Sequence, residues 1–139
     1  TLQQMPAAHE AAGHIQSIPG FGELTSTCLA HTFTRLSYSS SDAVVAASGL
    51  DPRAEDSGQK RGRRRLSKRG PSEPRRLIFN CARTAARTKV WRPYYQAQLD
   101  KGLSTTAATM ILGRKMLRVA FALYKARLPF DPARLSAHA

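Results

Sequence analysis

The feature that most limits the fold is an internal run of positive charge: Gln59-Lys60-Arg61-Gly62-Arg63-Arg64-Arg65-Leu66-Ser67-Lys68-Arg69-Gly70. Seven of its residues are basic, two are glycine, and only Leu66 is large and apolar. Burying so many cations without partners costs too much to be tolerated. The run must face solvent or an anion, so it is neither core helix nor core strand. Helical patterns flank it on both sides, which makes it an insertion and not a tail.

The whole chain of 139 residues has 22 Lys+Arg against 9 Asp+Glu, a net charge of +13. Its distribution is uneven: −4 over residues 1–56, +12 over 57–99 and +5 over 100–139. A concentrated block of this kind suits a polyanion, because each phosphate contact releases counterions. A solvated basic segment or localisation signal is the plain alternative. A membrane surface fits less well, since the run has no apolar face of its own.

Other classes are excluded more simply. The length is that of one domain, or of part of a larger protein. No apolar run approaches the ~18 residues of a membrane span. Thr1-Leu2-Gln3-Gln4 has neither the basic nor the apolar region of a signal peptide. The chain does not start with Met and is expected to be a piece of something longer. Two cysteines, Cys28 and Cys81, supply neither a disulfide framework nor a four-ligand zinc site. They are expected to be buried small hydrophobes. His9, His14, His31 and His138 are too scattered to make a metal site.

The periodicity predicts an all-α domain with no strand of convincing length. Residues 1–17 read as a leading helix or the remnant of an upstream linker. Ile18-Pro19-Gly20-Phe21-Gly22 then allows a tight turn with exposed backbone amides. A helix over Glu23 to about Phe33 follows, with Leu24, Cys28 and Leu29 apolar. This order is that of a helix-hairpin-helix, in which turn amides and a helix N-terminus hold a phosphate without reading sequence. A plain helix–helix connection is the alternative.

Ser41 is the expected cap of a short helix, Asp42–Ser48, stopped by Gly49. Residues 53–70 form a basic loop or short hairpin. Ser72 caps the next helix, with Leu77, Ile78, Cys81 and Ala85 on its apolar face. Arg75, Arg76, Arg83 and Arg87 fall on its polar side. Trp91-Arg92-Pro93 breaks it, and Tyr94 to Lys101 is a short helix closed by Gly102. Ser104 caps the last helix, about 105–127, whose stripe of Leu112, Met116, Val119, Ala120 and Leu123 faces a core. The domain is expected over 18–134, with 135–139 a tail.

The chemistry available within the chain is narrow. There is no GxSxG nucleophile motif, and a triad has no base in a specified place. Glu55-Asp56 is the only acidic doublet, too little for Mg²⁺. Tyr94-Tyr95 reads better as packing aromatics than as a nucleophile. Ser57 is more interesting. It sits in Glu55-Asp56-Ser57-Gly58, immediately before the basic run. A serine hydroxyl attacking a phosphodiester needs exposure and strong positive charge around the phosphorus, and Arg grips phosphate oxygens in pairs. Gly58 would let the backbone come close. Yet Ser57 is one of twelve serines, Ser67 inside the run is a fair rival, and both could be ordinary turn serines.

The order of motifs is more specific than any one of them. Ile18-Pro19-Gly20-Phe21-Gly22 comes first, then Ala46-Ala47-Ser48-Gly49-Leu50-Asp51-Pro52-Arg53 and Ser57-Gly58. Leu66-Ser67-Lys68-Arg69-Gly70 and Arg75-Arg76-Leu77 follow. Gly113-Arg114-Lys115-Met116-Leu117 and Leu128-Pro129-Phe130-Asp131 close the series. From about Ile15 to about Arg134 the chain resembles the C-terminal transposase domain of the insertion-sequence 110/116/902 family.

The resemblance implies DNA transposition by a nucleophilic serine in a Ser-Gly motif, matched here by Ser57-Gly58. That serine forms a transient phosphoserine link to DNA. It also implies an N-terminal RuvC-like domain that carries a carboxylate set and Mg²⁺. Further implied partners are an element-encoded guide RNA, and other copies of the protein in a homo-oligomer on DNA. The setting would be the bacterial cytoplasm, with no membrane partner and no cofactor in this chain itself. Lys60, Arg61, Arg63, Arg64, Arg65, Ser67, Lys68 and Arg69 would hold the scissile phosphate and its flanks. Gly20 and Gly22 would form the phosphate-contacting hairpin, with Arg75 and Arg76 adding backbone contacts. Pro74 stands where family members usually have leucine. A non-enzymatic helix-hairpin-helix nucleic-acid-binding module is the alternative function.

Overall fold

A computed structural model describes residues 4–35, 40–48 and 72–137. Among them there are seven helices and no strand, the all-α class expected. They are α1 (Gln4–Gln16), α2 (Glu23–Arg35), α3 (Ser41–Ser48), α4 (Ser72–Ala85), α5 (Arg92–Asp100), α6 (Thr105–Ala126) and α7 (Pro132–Ala137). The basic loop over 53–70, with Ser57 in it, lies outside the described residues, as does Gly49.

Helix α6 is the axis of the fold. Helices α1, α2, α3, α4 and α5 all pack against it. The reason is the width of its apolar face. Leu112, Met116, Leu117 and Ala120 are fully buried, and Ala108, Phe121 and Leu123 are buried with them. That arc is broader than the expected stripe, of which Val119 is only half-buried. Gly113 lets α4 approach: a Cβ there would stand 3.2 Å from Ile78 Cγ2. The Ser104 hydroxyl accepts from the Ala107 N–H at 3.1 Å and caps α6 as expected. At its other end Arg127 takes a left-handed φ of 58° and returns its N–H to the Leu123 carbonyl.

Helices α1 and α2 form an antechamber to this core. Ile15, Ile18, Phe21, Leu29, Ala30 and Phe33 are buried in one cluster with the α6 side chains. The Phe33 ring stands edge-on to Phe121 at 5.4 Å. The buried face of α2 is Thr25, Ser26, Leu29, Ala30 and Phe33. Leu24, expected on the apolar face, is instead 71% exposed. It stands one position, ~100° of helix rotation, before Thr25. Small Thr25 and Ser26 fill the space nearest the turn.

Several boundaries differ from the sequence reading for identifiable reasons. The α3 cap is Ser40 and not Ser41: the Ser40 hydroxyl accepts from the Ala43 N–H at 3.2 Å. Pro93 does not break a helix but sits in the first turn of α5, where a missing N–H costs nothing. The preceding helix stops earlier, at Ala85, and six residues make the corner between them. Gly102, with φ of 93°, does end α5. Helix α7 adds to the expected set; at six residues, starting at Pro132, it is too short for periodicity to register. Cys28 and Cys81 are half-buried free thiols, not core residues. Cys81 Sγ donates to Thr25 Oγ1 at 3.4 Å and joins α4 to α2.

Candidate nucleic-acid interface

The turn between α1 and α2 is built by its own sequence. Pro19 and Gly20 occupy its centre, and the Phe21 N–H returns to the Ile18 carbonyl at 3.1 Å. Gly20 has φ of 105°, a conformation that suits glycine at this point of a Pro-Gly turn. A Cβ on Gly20 would lie 2.5 Å from the Ala85 Cβ and 3.1 Å from Met116 Cε. Gly20 is therefore required by packing, whatever the turn contacts. Gly22 is different: it is exposed, and a Cβ there would meet nothing within 4 Å.

A buried tryptophan holds this turn. The Trp91 indole N–H donates to the Pro19 carbonyl at 2.9 Å. Trp91 is completely buried, with Tyr94 edge-on to its ring and Phe130 tilted against it. Thr88 shapes the corner that presents the indole. Its hydroxyl donates to the Ala85 carbonyl at 2.7 Å and accepts from the Trp91 N–H at 3.3 Å. Sequence reading does not find Trp91 and Thr88 as positioning residues. The only signal for Trp91 is its being the sole tryptophan, and its partner is far away in the chain.

Of the expected contact residues, the structure thus places Gly22 on the surface and Gly20 against the core. Glu23, in the first turn of α2, is exposed and carries a negative charge beside the amides that a phosphate would seek. That charge opposes an anion at the turn. Arg75 is half-buried and Arg76 exposed on α4, and neither is an unpartnered cation. Ser57, Gly58, Lys60, Arg61, Arg63, Arg64, Arg65, Ser67, Lys68 and Arg69 lie outside the described residues.

The electrostatics around the core are largely structural. Arg118 on α6 pairs with Asp42 on α3 at 2.9 Å. Arg127 pairs with Glu10 at 3.0 Å, closing the far end of α6 onto α1. That hydrogen bond from Arg127, helped by His14, holds the Glu10 carboxyl below the usual carboxylate range. Burial pushes the Tyr94 hydroxyl up, against the opposing pull of Arg118 and Arg114. Lys115 Nζ lies 6.0 Å from the Tyr94 ring centre. Tyr94 is thus a packing residue, as its place beside Trp91 suggested. Among the described residues no three His, Cys, Asp or Glu side chains converge to hold a metal. They do not fit the Mg²⁺ that the family resemblance implies. No described helix is long and apolar enough to cross a membrane.

A protein-family model for the "Transposase IS116/IS110/IS902 family" matches residues 12–96. The chain belongs to this transposase family. The match runs through the turn, the Ser-Gly motif, the basic block and the Trp91 corner, so the family likeness read from motif order holds. Three relatives agree. The transposase for insertion sequence element IS1328 of Yersinia enterocolitica is 32% identical over 86% of this chain and 37% of its own length. A 42 kDa protein of insertion element IS900 from Mycobacterium paratuberculosis is 31% identical over 94% of this chain and 34% of its own. A 44.8 kDa protein of element IS116 from Streptomyces clavuligerus is 30% identical over 86% and 30%. The chain spans about a third of the length of these relatives.

Proposed function

We propose that this chain is the DNA-binding, strand-attacking domain of an insertion-sequence transposase, with Ser57 as nucleophile. The observation that carries the reading is the family match, because it spans Ser57-Gly58 and the +12 block that follows. The Ser57 hydroxyl attacks phosphorus, an Oγ–P bond forms, and one bridging P–O bond breaks. The proton lost by Ser57 ends on the departing strand as its new hydroxyl. One phosphoester replaces another, so the link is reversible and the strand can be passed on. The arginines and lysines of 60–69 stabilise the extra charge on the phosphorane. The folded helices act as a platform, with the α1–α2 turn gripping flanking backbone through Gly22.

Metal-assisted activation belongs to the RuvC-like part of the parent protein, and a guide RNA selects the site. The chain alone then binds DNA without strand transfer, and works as a homo-oligomer on DNA when complete. The test is a covalent trap. The parent protein, its guide RNA and a nicked target are mixed and then denatured. Wild type gives a protein–DNA adduct and Ser57→Ala gives none. An adduct that persists in Ser57→Ala removes Ser57 from the reaction. An adduct absent from wild type as well leaves the non-enzymatic binding module.

A further inference from the structure

A cleft of about 600 Å³ opens between the end of α4, the start of α5 and the start of α6. Its walls carry Arg83, Arg87 and Arg92, with Tyr95, Thr105 and Thr106 beside them. No Asp or Glu is among its described lining residues. All three arginines are exposed. Among the described residues, no carboxylate lies within ion-pair distance of any of them. This contrasts with Arg118 and Arg127, whose charges are met by Asp42 and Glu10.

Three guanidinium groups around one concavity repel each other, and the described fold sets no internal counterion against that repulsion. An anion with several oxygens relieves it, and a phosphodiester is the anion this geometry suits best. Guanidinium forks match phosphate oxygens in pairs. Thr105 and Thr106 are exposed at the positive end of a 22-residue helix, where a phosphate oxygen is further favoured. The half-buried Tyr95 gives an apolar wall for a sugar or base. The volume lies within the range of about 300–1,000 Å³ that takes small organic groups. It admits a short piece of one strand and not the body of a duplex.

We propose that this cleft is a second phosphate-binding site for a nucleic-acid strand, formed by Arg83, Arg87 and Arg92. It is made from residues outside the basic run 59–70 and does not depend on Ser57. It does rest on the reading that the chain binds nucleic acid. The same corner serves both surfaces: Ala85 and Trp91 hold the Pro19-Gly20 turn, while Arg87 and Arg92 line the cleft. Strand bound in the cleft would be held at a fixed distance from strand bound at the turn.

The test is titration of a short DNA duplex, the matching single-stranded DNA and a single-stranded RNA onto the chain, by fluorescence anisotropy over a range of salt. Three proteins are compared: wild type, the triple variant Arg83→Gln/Arg87→Gln/Arg92→Gln, and the charge-keeping triple Arg83→Lys/Arg87→Lys/Arg92→Lys. Circular dichroism melts confirm that each is folded, as the exposure of the three side chains predicts. The glutamine triple is expected to bind at least one of the two single strands tenfold or more weakly. Its plot of log K against log salt should be shallower by about 0.7–0.9 for each phosphate that no longer meets an arginine. The lysine triple should recover part of the affinity and most of the slope. The single strand whose binding weakens is the one the cleft receives. Unchanged affinity and slope on both single strands, whatever the duplex does, overturn the cleft while leaving the broader reading intact. Failure of wild type to bind any of the three overturns both.

Discussion

The indole N–H of Trp91 and the carbonyl of Pro19 meet at 2.9 Å across 72 residues of sequence. This hydrogen bond locks the α1–α2 turn to the α4–α5 corner. Losing the donor leaves a carbonyl without a partner in a closely packed place, at a cost of about 1–3 kcal/mol. Trp91→Phe keeps an aromatic body and is expected to lower stability by about 2 kcal/mol, read by urea melts followed in the far ultraviolet. Its DNA affinity should fall too, since the turn is no longer held. Unchanged stability would show that the indole contributes packing alone.

The two glycines of the turn should separate cleanly. Gly20→Ala puts a methyl group 2.5 Å from Ala85 Cβ on a residue with φ of 105°. Overpacking and backbone strain together should cost about 3 kcal/mol. Gly22→Ala meets nothing and should melt like wild type to within about 0.5 kcal/mol. Its DNA binding should nonetheless weaken, because a methyl group now stands where backbone and phosphate approach. If Gly22→Ala binds as wild type does, the turn is a plain connection between helices.

Tyr94 sets a limit on the alkaline side. Burial raises its folded pKa above the usual 10.0, with Arg118 and Arg114 opposing. The unfolded chain therefore releases this proton first as pH rises. The stability due to neutral Tyr94 is complete below about 10 and is lost as pH climbs through the folded value. Melting temperatures from pH 8 upward should fall more steeply for wild type than for Tyr94→Phe. Parallel curves would mean that Tyr94 is not what feels the pH.

The α3 cap gives a small but sharp contrast. Ser40→Ala removes the acceptor for the Ala43 N–H and should cost about 1 kcal/mol. Ser41→Ala should cost clearly less, judged by the same denaturant melts.

Most helix positions are legible in the sequence because they follow from local chemistry; the six-residue α7 is not. Ser104 before a long apolar stripe and Gly102 after a short helix act within a few residues of themselves. The exposure of Leu24 is not legible, because helix periodicity alone does not say which side of α2 meets α6. Nor is the role of Trp91, whose partner is fixed only once the core closes. The arginine cleft shows the same limit. Arg83 and Arg87 are four apart and visibly share a face, but Arg92 joins them only through the corner that Thr88 shapes. Ser57 is the opposite case: its candidacy comes from motif order and adjoining charge, which are written in the chain itself.

That candidacy can be decided by mapping the trapped adduct. Trypsin, cutting after Arg53 and Lys60, isolates Ser57 on the peptide Ala54-Glu55-Asp56-Ser57-Gly58-Gln59-Lys60 and separates it from Ser67. Adduct from the wild-type parent protein is digested with trypsin and nuclease, then sequenced by mass spectrometry. A nucleotide phosphate on Ser57 of that peptide is the expected result. A nucleotide on Ser67, or on any other residue, would contradict it.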